Sequence, residues 1–329
     1  MLPLLIAALV SLHGASALLT PTGRSPSGKD IYTVPYGSRI AAYSASQIEV
    51  FAPNGTLLHT LSNSGSASKG PIRRQQDNNV HLAQAFYDCG VDASTGNATQ
   101  ITALNATFVV PPIPENYDSQ LLYIGPGIEG FDPATNESLG IYQTALQYGG
   151  STSQGGDFWS LYAVLEGSSF FVVPGPATPS SSDSLASRQD TQPIVNPGDT
   201  YTAAIVYNEG FQLPGQPPTR VWYAGVYVGP NVPDSTPGSI EISFSNPPSL
   251  VRAMILLQEE GAFEAADYPT GGMVFEDVQL ALDPNTTTPG TEPEISWTVL
   301  VDPATKVGVE VLVDGGANAK IEMVFSESN

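Results

Sequence analysis

The sequence predicts an all-β fold, a sandwich of short antiparallel strands with long surface loops. Three observations predict it. Twenty-nine Pro and 32 Gly punctuate a chain of 329 residues, which suits short strands joined by turns. Long apolar patterns with a helical period are nearly absent, while alternating segments recur, as in Ile240/Ile242/Phe244, Ile295/Trp297/Val299 and Val309/Val311/Val313. More than ten β-rich segments are separated by turn signals, the pattern of two packed sheets.

Residues 1–17 read as a signal peptide, with an apolar run from Leu4 to Leu12 followed by small residues through Ala17. The run is shorter than the ~18 apolar residues that begin to suggest a membrane span. The expected location is therefore secreted and extracellular. Asn-x-Ser/Thr triplets at Asn54, Asn97, Asn105, Asn136 and Asn285 fit a glycoprotein, because such triplets are modified at surface positions of secreted chains.

Residues 18–74 are read as a propeptide or as an N-terminal β-hairpin extension. Ile48, Val50, Pro53-Asn54-Gly55 and Leu57-Leu58 predict a hairpin. The polar stretch 64–76 carries Arg73-Arg74, which is either a processing site or an ordinary exposed pair. Cleavage there would remove six of the eleven basic residues.

Residues 75–329 form the expected sandwich domain. Strands are predicted at 107–110, 121–124, 141–148, 158–165, 170–173, 201–207, 221–228, 240–244, 254–257, 273–282, 295–301, 309–313 and 321–325. A glycine-rich turn is expected after Ile124. The Pro-, Ser-, Asp- and Gln-rich stretch 174–197 is expected to be a flexible surface loop.

Charge and composition restrict the function. A formal charge of −21 argues against nucleic acid and anionic membranes, which require a basic face. It suits solubility, or acidic surroundings that neutralise carboxylates. The single cysteine, Cys89, permits no internal disulfide and reads as a small buried apolar residue, with an intermolecular disulfide or a reactive thiol as the alternatives. His59 and His81 lie 22 residues apart and form no metal-ligand pattern. No cofactor is expected. The motifs of serine hydrolases, zinc peptidases and P-loop enzymes are absent from the sequence. Any catalysis falls to carboxylates and amides, in 123–130, 142–149 and 254–260. There a carboxylate can activate water and an amide can hold an oxyanion. Trp159, Trp222, Tyr223 and Tyr227 are either core or an aromatic cleft.

The order of motifs over about residues 100–285 resembles the fungal glutamic peptidases, or eqolisins. Asn105-Ala106-Thr107-Phe108-Val109-Val110-Pro111 is similar to the family's early strand. Leu122-Tyr123-Ile124-Gly125 through Glu129-Gly130 is similar to W-V-G-I-D-G. Gln143-Thr144-Ala145-Leu146-Gln147-Tyr148-Gly149 is similar to Q-T-A-I-L-Q-T-G, and Asn196-Pro197-Gly198-Asp199-Thr200 to the E-G-D-S segment. The resemblance implies a concanavalin A-like, jelly-roll sandwich made with a propeptide. It also implies that Gln147 is the glutamine that stabilises the tetrahedral intermediate. In the matching acidic motif Met254 stands at the catalytic glutamate and Gln258 at the second acid.

Three functional readings follow. The favoured one is a secreted glutamic peptidase-like sandwich without peptidase activity, a binding or accessory protein for a peptide, glycan or small molecule. The second is an active acid endopeptidase that uses Gln147 with a relocated general base, Glu259 or Glu260. The third is a glycan-binding or glycan-processing lectin-like sandwich, although the paired carboxylates of sandwich glucanases have no counterpart in the sequence. Oligomeric state has no signal in the sequence.

Overall fold

The computed structural model describes residues 19–35, 38–44, 47–62, 80–90, 99–132, 135, 137–150, 155–167, 169–174, 194–209, 220–227, 240–244, 250–283 and 294–325. Side chains at 42–44, 62, 173–174, 207–209, 220–227, 240–244 and 250 are not described.

The elements in chain order are β1 (Gly23–Arg24), β2 (Asp30–Thr33), β3 (Arg39–Ser44), β4 (Gln47–Phe51), β5 (Leu57–Ser62), β6 (Val80–Cys89) and β7 (Ile101–Val109). Then follow β8 (Leu121–Phe131), β9 (Ser138–Gly149), β10 (Trp159–Glu166), β11 (Phe170–Pro174), β12 (Ile194–Val195), β13 (Thr200–Glu209), β14 (Arg220–Tyr227) and β15 (Ile240–Phe244). The last are β16 (Leu250–Glu260), β17 (Gly272–Leu282), β18 (Thr298–Val301), β19 (Val307–Val313) and β20 (Ala319–Phe325). One 3-10 turn, Ala265–Asp267, is the sole helical element among the described residues.

The strands form two ten-stranded sheets. The first runs β1-β2-β11-β10-β9-β8-β16-β6-β18, with β12 also paired to β10. The second runs β19-β20-β17-β7-β13-β14-β15-β3-β4-β5. The core lies between them. Leu122, Ile124, Leu146, Ile255 and Leu257 from the first sheet share one apolar cluster with Leu104, Phe108, Ile205, Phe275 and Ile321 from the second. The all-β sandwich expected from the strand pattern is therefore present.

Two details depart from a purely antiparallel sandwich. β2 pairs with β11, and β3 with β15, in parallel. Through these pairs residues 23–62 supply edge strands to both sheets. Within this segment β4 and β5 form the expected hairpin, with Gly55 at φ 81° in its turn. That angle suits glycine, which lacks a Cβ to clash.

The expected turn after Ile124 is instead strand. Gly125-Pro126-Gly127 runs through β8, paired on both sides by β9 and β16. A Cβ on Gly125 would lie 2.0 Å from the Thr144 carbonyl oxygen. These glycines serve close backbone approach inside a sheet rather than chain reversal.

The β6 strand was not among the expected strands. Its alternation of Ala83, Ala85 and Cys89 inward with Leu82, Gln84 and Phe86 outward is visible once the pairing to β16 is known. Cys89 is fully buried and unpaired. Residues 1–17, Arg73-Arg74, Asn97, Asn136, Asn285 and most of the 174–197 stretch lie outside the described residues.

Candidate functional site

The site of interest is the face of the first sheet that points away from the core. Side chains alternate across a strand, so the core residues Leu122, Ile124 and Leu146 leave Tyr123, Gln143 and Gln147 on the opposite, outer face. Cross-strand register then fixes the rows. Leu82, Gln258, Tyr123, Gln147 and Ser160 stand opposite one another across β6, β16, β8, β9 and β10. Phe86, Met254, Gly127 and Gln143 form a second row. Between them lie Gln84, Leu256 and Gly125.

This outer face is itself buried. Gln84, Gln143, Gln147 and Gln258 are each no more than 3% exposed. Burial on both faces explains why β8, β9 and β16 read as nearly continuous apolar runs. The buried amides must find partners. Gln147 Nε2 donates to the Gly149 carbonyl at 3.0 Å. Gln143 Nε2 donates to the Gly125 and Leu256 carbonyls at 3.4 and 3.3 Å. Gln258 Nε2 and Gln84 Oε1 have no hydrogen-bond partner among the described residues.

The pairing of Gln147 with Glu259 expected from the sequence is not realised. Glu259 stands opposite Leu122 on β8 and His81 on β6, and Leu122 belongs to the core. Glu259 therefore faces the interior of the sandwich while Gln147 faces away from it. The physical reason is parity: a carboxylate one residue beyond Gln258 must point through the opposite face, and no bulge in β16 restores it. The residue that shares the row of Gln147 is Gln258, an uncharged amide. Met254 shares the row of Gln143 and is fully buried among Ile141 and Leu256.

Glu260 is the acid of β16 on the same face as Gln147. It is 1% exposed, and burial raises its pKa above the usual carboxylate range. Its Oε2 accepts the Ser27 N–H at 2.9 Å. Nearby, Lys29 Nζ bonds Glu166 Oε1 at 2.9 Å and lies 5.5 Å from the centre of the Phe170 ring. Phe170 packs on Tyr123. Tyr123 is held strongly neutral, first by burial and then by Tyr162, Glu260 and Glu166 around it. The polar end of this face is thus closed by the turn between β1 and β2, residues Ser25–Lys29, whose Ser27 amide bonds Glu260 Oε2 and whose Lys29 ammonium bonds Glu166 Oε1, while Glu260 Oε1 has no hydrogen-bond partner among the described residues.

Glu259 anchors a separate cluster at the end of the sandwich interior. Its Oε2 accepts the Thr305 hydroxyl at 3.1 Å, and its Oε1 has no hydrogen-bond partner among the described residues. His81 Nδ1 lies 3.2 Å from Asp302 Oδ2 beside it. Burial pushes the Glu259 pKa up to about 7, against opposing contributions from Tyr268, Thr305 and His81. Sequence periodicity gave no sign of this cluster, because Asp302, Thr305 and Tyr268 come from turns distant in the chain.

Other expected features divide similarly. Trp159 is core, with its Nε1 donating to the Pro112 carbonyl at 3.2 Å, so it lines no cleft. The side chains of Trp222, Tyr223 and Tyr227 lie outside the described set. His59 packs against Tyr32 and Phe171. Asn54 is exposed in the β4–β5 turn, and Asn105 is half-buried in β7. Among the described residues no group of three His, Cys, Asp or Glu side chains is placed to hold a metal ion. No described helix is long and apolar enough to cross a membrane. No protein-family model matches the chain, and no curated protein sequence matches it.

Proposed function

We propose that this chain is a secreted, N-glycosylated, glutamic peptidase-like sandwich of the concanavalin A-like type. It acts as a binding or accessory protein and does not cleave peptides by the family's chemistry. The observation that carries this reading is the row through Gln147. The residue facing it across Tyr123 is Gln258, and the position matching the family's glutamate is Met254. Neither side chain can take a proton from water. A general base must reach the water it activates, and an amide or thioether has no basic form at any working pH.

Two further observations support the reading. The Gln147 amide is committed to a carbonyl of its own chain. Glu260, the β16 acid on its face, is engaged by the Ser25–Lys29 turn. One of the two N–H donors of Gln147 is thus already taken by the Gly149 carbonyl.

The test is digestion of a broad, undirected peptide mixture at pH 3–6 by the purified protein, alongside Gln147→Ala and Glu260→Gln variants. The expected result is no cleavage above buffer for any of the three. Cleavage by the native protein that both substitutions abolish establishes an active acid endopeptidase with Glu260 as base, and overturns the proposal.

A further inference from the structure

The corner where the chain passes from the first sheet to the second is fastened by ionisable groups. β18 ends the first sheet and β19 ends the second, so the turn between them, residues 302–306, crosses the end of the sandwich. β18 has four residues, is laddered to β6 and leaves Val299 and Leu300 exposed. A short exposed edge strand is weakly held by its own ladder. Three contacts tie the turn down. The Asp302 N–H donates to the Leu82 carbonyl at 2.8 Å. Asp302 Oδ2 lies 3.2 Å from His81 Nδ1. The Thr305 hydroxyl donates to Glu259 Oε2 at 3.1 Å and accepts the Val307 N–H at 3.2 Å.

Two of these contacts depend on protonation. The His81–Asp302 contact is an ion pair only while His81 carries a proton, and histidine is the side chain whose charge ordinarily changes between about pH 5 and 8. Glu259 is fully buried and its Oε1 has no hydrogen-bond partner among the described residues. That setting suits a neutral acid and penalises a carboxylate. Leu122 of β8 stands opposite Glu259, Tyr268 adds a buried phenol beside it, and Lys306 on the turn is exposed. The adjacent acids are engaged elsewhere, Glu260 on the opposite face by Ser27 and Asp267 by the Phe263 and Glu264 amides. His81 is the base set against Glu259, and Asp302 the acid. With His81 protonated and Glu259 neutral, the cluster is neutral overall. With His81 neutral and Glu259 ionised, two carboxylates stand together without a cation.

We infer that this corner is a pH-operated fastener, closed in acid surroundings and loosened as they pass neutrality, with Glu259 and His81 as its titrating groups. Raising the pH removes the His81 charge and ionises Glu259, and both changes act in the same direction. Asp302 loses its cationic partner while a second carboxylate forms beside it. Lifting residues 302–306 relieves this, because both carboxylates then reach water. β18 leads into the turn and lifts with it, freeing the edge of β6 from Ala83 to Phe86. The Thr305 hydroxyl favours the ionised form of Glu259, but burial outweighs it and holds the pKa at about 7. The closed corner therefore keeps a proton, between the ordinary carboxylate range and neutrality, that an opened corner releases. The device is independent of what the protein binds.

The test is hydrogen exchange of the full-length protein from pH 5.5 to pH 8, read by mass spectrometry. Peptides covering residues 298–307 are compared with 141–148 of β9, and each rate is divided by that of an unstructured peptide at the same pH. Glu259→Gln, and Glu259→Gln combined with His81→Gln, are measured beside the native protein. The expected result is protection of 298–307 that falls about tenfold or more across the range, while 141–148 exchanges far more slowly at every pH. The fall is smaller in Glu259→Gln and absent from the double variant. Constant protection of 298–307 in the native protein overturns the inference. Exchange of 298–307 at the rate of 141–148 also overturns it, because the corner then opens only when the whole protein unfolds. A fall that the double variant retains overturns it as well, by assigning the titration to another group. Should either variant fail to fold, the pH course of the two peptides in the native protein still decides between a local fastener and none.

Discussion

Replacing Glu259 by Gln makes the protein more stable near neutral pH and leaves it nearly unchanged in acid. Glu259 is fully buried and its pKa is raised from 4.5 to about 7 in the folded protein. The folded state therefore keeps a proton that the unfolded chain releases. The stability from that proton is fully present below about pH 4.5 and is lost as pH rises toward 7. The displacement is about 2.5 pH units, and at 1.36 kcal/mol per unit the loss is about 3 kcal/mol. Glutamine cannot ionise, so the variant lacks this loss. It keeps the Thr305 hydrogen bond through its carbonyl oxygen. Thermal unfolding of both proteins from pH 4 to pH 8 is the assay. At about 2 °C per kcal/mol for a domain of this size, the variant should gain about 6 °C on the native protein across that interval. Parallel curves between pH 4.5 and 7 refute the reasoning, because Glu259 would then share one proton occupancy in both states.

Two other outcomes follow from the packing. Gly125→Ala forces a Cβ against the Thr144 carbonyl oxygen and the backbone of β9; backbone cannot yield as a side chain does, so a loss of at least about 3 kcal/mol is expected, read from the denaturation midpoint. Cys89 is buried at the end of β6, and burial raises its thiol pKa far above the usual range. A thiol reagent at pH 8 should therefore label the native protein negligibly and the urea-unfolded protein stoichiometrically, and rapid native labelling would place Cys89 at the surface.

Much of the fold was legible before any coordinates. Alternating apolar residues in 240–244 and 309–313, β-branched runs at 107–110 and the Pro-Asn-Gly turn each encode their local geometry in residue type. The burial of Cys89 followed from its chemistry. Gly125-Pro126-Gly127 misled for a definite reason. Glycine marks both tight turns and places where two backbones meet, and only the pairing of β8 with β9 and β16 separates the two. β6 was missed because its small alanines and outward glutamine give a weak alternation.

The candidate site was less legible. The sequence alone determined that β16 carries Met254, Gln258, Glu259 and Glu260 in that order, and that Gln147 follows an apolar strand. A one-residue change of register reverses the face on which every side chain of a strand lies. Which acid accompanies Gln147 therefore depended on the parity of β16 against β8, a property of two strands about 120 residues apart in the chain. That parity turned Glu259 inward to Thr305 and His81, put Gln258 in the row of Gln147, and left Glu260 to the Ser25–Lys29 turn. Residue chemistry is local and is written in the chain. The meeting of residues across sheets is set by long-range hydrogen-bond register, which the tertiary structure alone decides.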